Sequence, residues 1–143
     1  MLTNLILRVL SLTSVVYTIT IVLNRRAIGI DGEKRAILFL KKQGFRILKA
    51  NYRSRVGEID IIATRNDLIA FIEVKTRQSN DYGYPEEAVN KKKMRRIIKA
   101  AKYYLVTHDL YDRKDVRFDV LSLIRKKSSF EIEYFENAFR EER

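Results

Sequence analysis

Gly57-Glu58-Ile59-Asp60-Ile61-Ile62-Ala63-Thr64, Arg65-Asn66-Asp67 and Leu68-Ile69-Ala70-Phe71-Ile72-Glu73-Val74-Lys75-Thr76 follow one another without a break. The first and third blocks are dense in β-branched and aromatic residues, which suit a pleated, half-buried surface. Arg65-Asn-Asp67 between them carries turn chemistry, so the stretch predicts two strands joined by a tight hairpin. Side chains alternate along a strand, so Glu58 and Asp60 share one face and Glu73 and Lys75 share another. The hairpin lays Asp60 beside Glu73 if its register sets them opposite.

Working outward, Phe45 to Ala50 predicts a preceding strand and Asn51 to Arg55 a turn. Ile30 to Gln43 predicts a helix with an apolar face from Ala36, Leu38, Phe39 and Leu40, stopped at Gly44. After the hairpin, Gln78 to Pro85 is a polar loop. Glu86 to Thr107 predicts the longest helix, because Met94, Ile97, Ile98, Ala101 and Leu105 recur at three- and four-residue spacing. Val116 to Ile124 and Ser129 to Phe135 predict two last strands, separated by a basic turn at Arg125-Lys-Lys127. The order helix, three strands, helix, two strands predicts an α/β domain around a mixed sheet.

Composition narrows the chemistry. The 143 residues include no Cys and one His, which leaves out disulfides, thiol nucleophiles and multi-His metal sites within one chain. Carboxylate, Lys, Arg and hydroxyl groups remain, and carboxylates bind hard cations such as Mg²⁺ or Mn²⁺. A formal net charge of +11 points to a polyanion, either nucleic acid or an acidic membrane surface.

Met1 to Leu23 stands apart, with Arg8 as its one charge. It is borderline in length and too rich in Ser and Thr for a clear spanning helix. The readings kept open are a membrane anchor, with Arg25 and Arg26 holding the remainder in the cytoplasm, a helix lying on the domain, and an extension from a start codon placed too early. The domain proper is expected over residues 24–143.

Asp60 and Glu73 are candidate metal ligands, since two carboxylates facing one another need a cation or a proton between them. Lys75 is placed to orient a water or offset charge on a phosphate. Glu33 supplies a further acid if its helix packs by the strand ends. The bland alternative is an ordinary ladder of surface ion pairs, each worth ~0–1 kcal/mol. Lys92, Arg95, Arg96, Lys99 and Lys102 form a basic stripe on the second helix, where no acid occurs from Asn90 to His108. Such a stripe tracks a phosphate backbone or is simply solvated. Lys93 lies off that stripe, leaning toward the acids or snorkelling. Arg53, Arg55 and Arg77 flank the motif strands, to grip phosphates or to pair with Glu58 and Asp119. Asp119 itself either pairs with an Arg or lines the site. Tyr82 and Tyr84 stack on bases or pack on their own loop, and His108 is read as structural.

The blocks Gly32-Glu33, Gly44-Phe45, Asn51-Tyr52-Arg53, Gly57 to Ile62 and Phe71 to Arg77 closely resemble the YraN-like family of bacterial proteins. The likeness runs through Ala88-Val89, Lys93, Tyr104-Leu105 and Arg117 to Val120, to Asn137-Ala138-Phe139, over about residues 25–143. Such proteins look like members of the restriction-endonuclease-like, PD-(D/E)XK superfamily, which includes Holliday-junction resolvases. The resemblance implies an αβββαβ core, with a central mixed sheet flanked by helices and a metal site on the second and third strands. Asp60 and Glu73 would then be the Mg²⁺ (or Mn²⁺) ligands, Lys75 the catalytic lysine and Glu33 the helix-borne acid of the resolvase branch. Ile59 stands where the superfamily name expects Pro. The function expected is a metal-dependent DNA endonuclease, with selectivity for nucleic-acid structure left open. Its DNA contacts are expected from Arg53, Arg77, Lys92, Lys93, Arg95, Arg96 and Lys99, in a cytoplasmic protein that dimerises to embrace two strands. The rivals are a non-catalytic nucleic-acid-binding module on the same fold and an adaptor tethered through residues 1–23.

Overall fold

A computed structural model describes residues 29–78 and 89–141. The apolar segment 1–23, and Tyr82 and Tyr84 in the loop, lie outside the described residues. The chain divides after Asp31, and the fold is that of the second unit, Gly32–Arg143. Among the described residues no helix is long and apolar enough to cross a membrane.

A helix described over residues 29–42 (α1) is followed by three strands: β1 (Arg46–Ser54), β2 (Gly57–Arg65) and β3 (Leu68–Gln78). Then come the helix α2 (Lys91–Thr107) and two strands, β4 (Asp115–Arg125) and β5 (Phe130–Phe139). This is the αβββαβ order with one further strand. The five strands lie in the sheet in chain order, β1-β2-β3-β4-β5. Three pairings are antiparallel, and β3 with β4 is parallel because the chain crosses back over the sheet through α2.

The pleat sorts the core into two layers. Ile61, Ala63, Ala70, Ile72, Leu121 and Leu123 pack with Ala36 and Leu40 of α1. Ile62, Ile69, Phe71 and Val120 pack with Ile97, Ala101 and Leu105 of α2. Each fully buried Val, Leu, Ile or Phe among them contributes roughly 1.5–3 kcal/mol of transfer free energy. The basic residues of α2 stay outside, with Lys92, Arg95, Arg96, Lys99 and Lys102 all exposed.

The alternation slips within β2. Ile61 belongs to the α1 layer, yet Ile59, two residues earlier on β2, belongs to the α2 layer. Their β1 partners are Ala50 and Tyr52, and between those lies Asn51 at φ 51°. A left-handed residue turns the pleat over, and Asn tolerates that conformation better than most. Beyond this point the β1–β2 hairpin leans over α2. A Cβ on Gly57 would stand 2.9 Å from the Arg96 carbonyl, so only glycine permits this approach.

Asn51 also corrects an expectation. The stretch Asn51 to Arg55 is not a turn; β1 continues to Ser54, and the reversal is confined to residues 55–56. Turn-type residues act locally instead. Asn51 supplies the left-handed step, while the Ser54 hydroxyl donates to the Gly57 carbonyl at 3.0 Å and closes the hairpin. The second helix likewise starts later than Glu86. Asn90 caps it by accepting the Lys93 N–H at 2.9 Å, and Val89 just before is buried in the core. Residues 86–88 lie outside the described residues. Gln78 is the last residue of β3 rather than the first of a loop, and β5 runs on past Phe135 to Phe139.

Candidate active site

Pairing between β2 and β3 runs from Arg65↔Leu68 up to Ile61↔Ile72. One step further the register sets Asp60 opposite Glu73, and there the ladder gives way to side-chain chemistry. The Asp60 carboxylate turns into the gap and accepts the Val74 N–H at 2.8 Å. It takes the place that a β2 backbone carbonyl would fill. Asn51, across the β1–β2 register, marks the same level of the sheet, so the slip in the pleat and the acid pair coincide.

Glu73 is 4% exposed. Burial pushes the Asp60 carboxyl up to about 6, with the Glu73 charge and a hydrogen bond to Glu73 adding to it; the Val74 N–H and Lys93 pull the other way. The Asp60 carboxyl, this close to a second carboxylate and this dry, resists ionisation. A cation already meets them. The Lys93 ammonium, reaching across from α2, hydrogen-bonds the Glu73 carboxylate. Burial works against the charge on Lys93, yet Glu73, Asp60 and Glu58 together hold its pKa above the ordinary lysine value.

Lys75 shares the α2-side face with Glu73, since Val74 between them packs in the α1 layer. It is half-buried, and among the described residues it makes no hydrogen bond or ion pair. Its neighbour on β4 is Ser122, whose partner on β5 is Glu133. The Ser122 hydroxyl is fully buried and, among the described residues, has no hydrogen-bond partner. A buried orphan of this kind calls for a partner from outside the protein, such as water. Sequence reading passed over both residues, because a Ser inside Val120-Leu-Ser-Leu-Ile124 carries no signal of its own.

Glu33 is not brought to the acid pair. Asn51 Nδ2 donates to its Oε2 at 2.8 Å, so α1 ties Glu33 to the residue across the ladder from Asp60. Among the described residues no three His, Cys, Asp or Glu side chains gather closely enough to hold a metal ion, so the acids form a pair and not a triad.

Beside the pair, between the β1–β2 hairpin and the start of α2, opens a cleft of about 770 Å³. Among the described residues Arg53, Arg55, Lys92, Lys93 and Arg96 line it, with Glu58 the one acid. Lys93 therefore borders the cleft and touches the acids at once. Arg95 and Lys99 are exposed on α2 outside the lining, and Arg77 near the end of β3 is not part of it either. Arg55 also lies 5.4 Å over the Tyr103 ring, holding the hairpin to the helix.

Two other candidates have structural places. Asp119 is fully buried in the α1-side layer, where Arg117, the Tyr134 hydroxyl (2.5 Å) and the Asn137 N–H (2.7 Å) satisfy it. Its arginine is thus Arg117, neither Arg53 nor Arg77, and it does not line the site. His108 caps α2, its N–H donating to the Tyr104 carbonyl and its ring stacked on Tyr104 at 4.0 Å.

The model of the Uncharacterised protein family UPF0102 matches residues 32–123, which hold the acid pair, Lys75, Lys93 and the cleft. The chain belongs to this family. It is the one the YraN-like resemblance names. Relatives described as UPF0102 proteins occur in several bacteria. That of Persephonella marina is 45% identical over 111 residues, covering 74% of this chain and 95% of the relative. That of Alkaliphilus oremlandii is 46% identical over 115 residues, 80% and 98% of the two chains. That of Dictyoglomus thermophilum is 47% identical over 119 residues, 82% and 100%. In each of these three relatives the match takes in nearly the whole protein.

Proposed function

We propose that this UPF0102 protein is a Mg²⁺- or Mn²⁺-dependent endonuclease that hydrolyses phosphodiester bonds in DNA. One observation carries the reading: two carboxylates from adjacent strands converge, and Lys93 links Glu73 to a cleft whose described lining holds five cations and one acid. The donor set fits a hard ion. Mg²⁺ is commonly held by one or two carboxylates, with water and substrate phosphate completing its shell. Asp60 and Glu73 would hold it, and their mutual repulsion is the charge that it would compensate. When bound, such an ion polarises a phosphate and yields a nucleophilic water near neutral pH.

The remaining chemistry belongs to the chain. Arg53, Lys92 and Arg96 draw the phosphate backbone into the cleft and fix its position. Lys75, unpaired among the described residues and on the same face as Glu73, is available to steady charge growing on the phosphate. Ser122 next to it offers a buried hydroxyl for an ordered water. A nucleic-acid substrate places the protein in the cytoplasm, and a domain of this size would grip two strands as a homodimer.

The test uses the full chain with labelled duplex, single-stranded and four-way-junction DNA, each with Mg²⁺, Mn²⁺ or EDTA. We expect metal-dependent cutting that leaves a 5′-phosphate and is abolished by Asp60→Ala and by Lys75→Ala while DNA binding persists. Retained cutting in Asp60→Ala, or a 3′-phosphate product, overturns the assignment. The second reading, a binding module without catalysis, is favoured by the Lys93 ammonium, which already neutralises the pair. It predicts salt-dependent binding indifferent to EDTA and no nicking.

A further inference from the structure

We infer that Lys93 is a positioning residue, the resident cation of the Asp60–Glu73 pair, and that its ammonium must leave Glu73 before the pair can receive a divalent ion. The inference rests on the reading of that pair as a metal site. Three observations carry it. The ammonium bonds the carboxylate of Glu73, the most buried acid of the pair, and the Asp60 and Glu58 charges act on it as well. The backbone of Lys93 is fixed by its own N–H, which donates to the capping Asn90 side chain, so only the flexible stem is free to move. Lys93 is also 40% exposed and lines the cleft, which gives the displaced ammonium a place among Arg53, Lys92 and Arg96.

A single Glu73 carboxylate cannot serve both cations well. A metal ion claims its lone pairs and repels a neighbouring ammonium, so binding and displacement are one exchange. Lys75 does not play this part, because it makes no ion pair among the described residues. The two lysines divide the work: one waits unpaired on the strand, and the other neutralises the acids until the ion arrives. In the metal-free protein Lys93 keeps the two acids tolerable side by side, and on exchange it adds a charge to the cleft.

The experiment needs no DNA and no cleavage. Mn²⁺ alone is titrated into the full chain by calorimetry, for wild type, Lys93→Met, Lys93→Arg and Asp60→Asn. We expect Lys93→Met to bind Mn²⁺ about five- to tenfold more tightly than wild type, on the order of one partly exposed ion pair. Lys93→Arg should stay near wild type, and Asp60→Asn should bind poorly. In the ¹⁵N-labelled wild type, the Lys93 ammonium resonance, identified by its loss in Lys93→Met, should move as Mg²⁺ saturates the protein. An affinity in Lys93→Met within roughly twofold of wild type, with that resonance unmoved, would mean a permanent ion pair and overturn the inference alone. No Mn²⁺ binding to any variant, or undiminished binding in Asp60→Asn, would overturn the metal-site reading and the inference with it. Should Lys93→Met not fold, the resonance in the wild type decides by itself.

Discussion

At the residue scale the acid pair is expensive to fold. The Asp60 carboxyl is pushed from 3.8 up to about 6, chiefly by burial and by Glu73. Below the unfolded value it is protonated in both states and costs nothing. As pH rises through about 6 the native state must give up a proton that it holds more tightly than the unfolded chain does, and stability falls. Asp60→Asn removes that charge while keeping an oxygen for the Val74 N–H. In metal-free protein we therefore expect Asp60→Asn to be more stable than wild type at pH 8, by on the order of 1–3 kcal/mol, with the gap closing at pH 4. Thermal unfolding of both proteins at the two pH values checks it, and equal midpoints at pH 8 would refute the strain.

At the element scale, the β1–β2 hairpin is held over α2 by close contact at Gly57 and by Arg55 above Tyr103. Gly57→Ala sets a methyl group 2.9 Å from the Arg96 carbonyl, and neither backbone yields easily. We expect a loss of about 1–3 kcal/mol in denaturant unfolding and a weaker grip on DNA, because the hairpin forms one wall of the cleft. Elements also show how far sequence alone reaches. The β2–β3 hairpin was legible because its alternation and its turn residues agree, and its register delivered the Asp60–Glu73 proximity. The length of β1 was not, since Asn51 bends a strand here with the same chemistry that elsewhere ends one. The start of α2 was misread because Glu86-Glu87 imitates a first turn, whereas the cap is Asn90. Lys93 stood out in sequence only as a lysine beside the apolar stripe; its contact with Glu73 depends on how the helix crosses the sheet. Ser122 left no trace in the pattern. Its significance lies wholly in lacking a partner.

At the scale of the whole molecule, charge is segregated across the sheet. The edge strand β1 carries Arg46, Lys49 and Arg53, while the opposite edge, β5, carries Glu131, Glu133 and Glu136 and no basic residue. Under the proposed function, a molecule of net charge +11 with this polarity would meet a polyanion by its β1 side. Each phosphate neutralised releases counterions, so affinity should fall steeply with salt. Replacing both Lys92 and Arg96 by Ala should flatten the plot of log affinity against log salt by roughly two units, whatever the DNA sequence. Binding measured across a salt series tests this; an unchanged slope would move the contact surface away from the cleft.

The parallel pairing of β3 with β4 governs the order of assembly. Every other neighbour in the sheet is joined by a short reversal that closes locally, but β4 reaches β3 only after the chain has gone out through α2 and come back. Closing that long loop is entropically late. Glu73 precedes the crossover and Lys93 lies within it, so a chain still emerging from the ribosome holds the acids without their counter-ion or covering helix. The Lys93–Glu73 ion pair therefore forms only once α2 has packed onto the sheet.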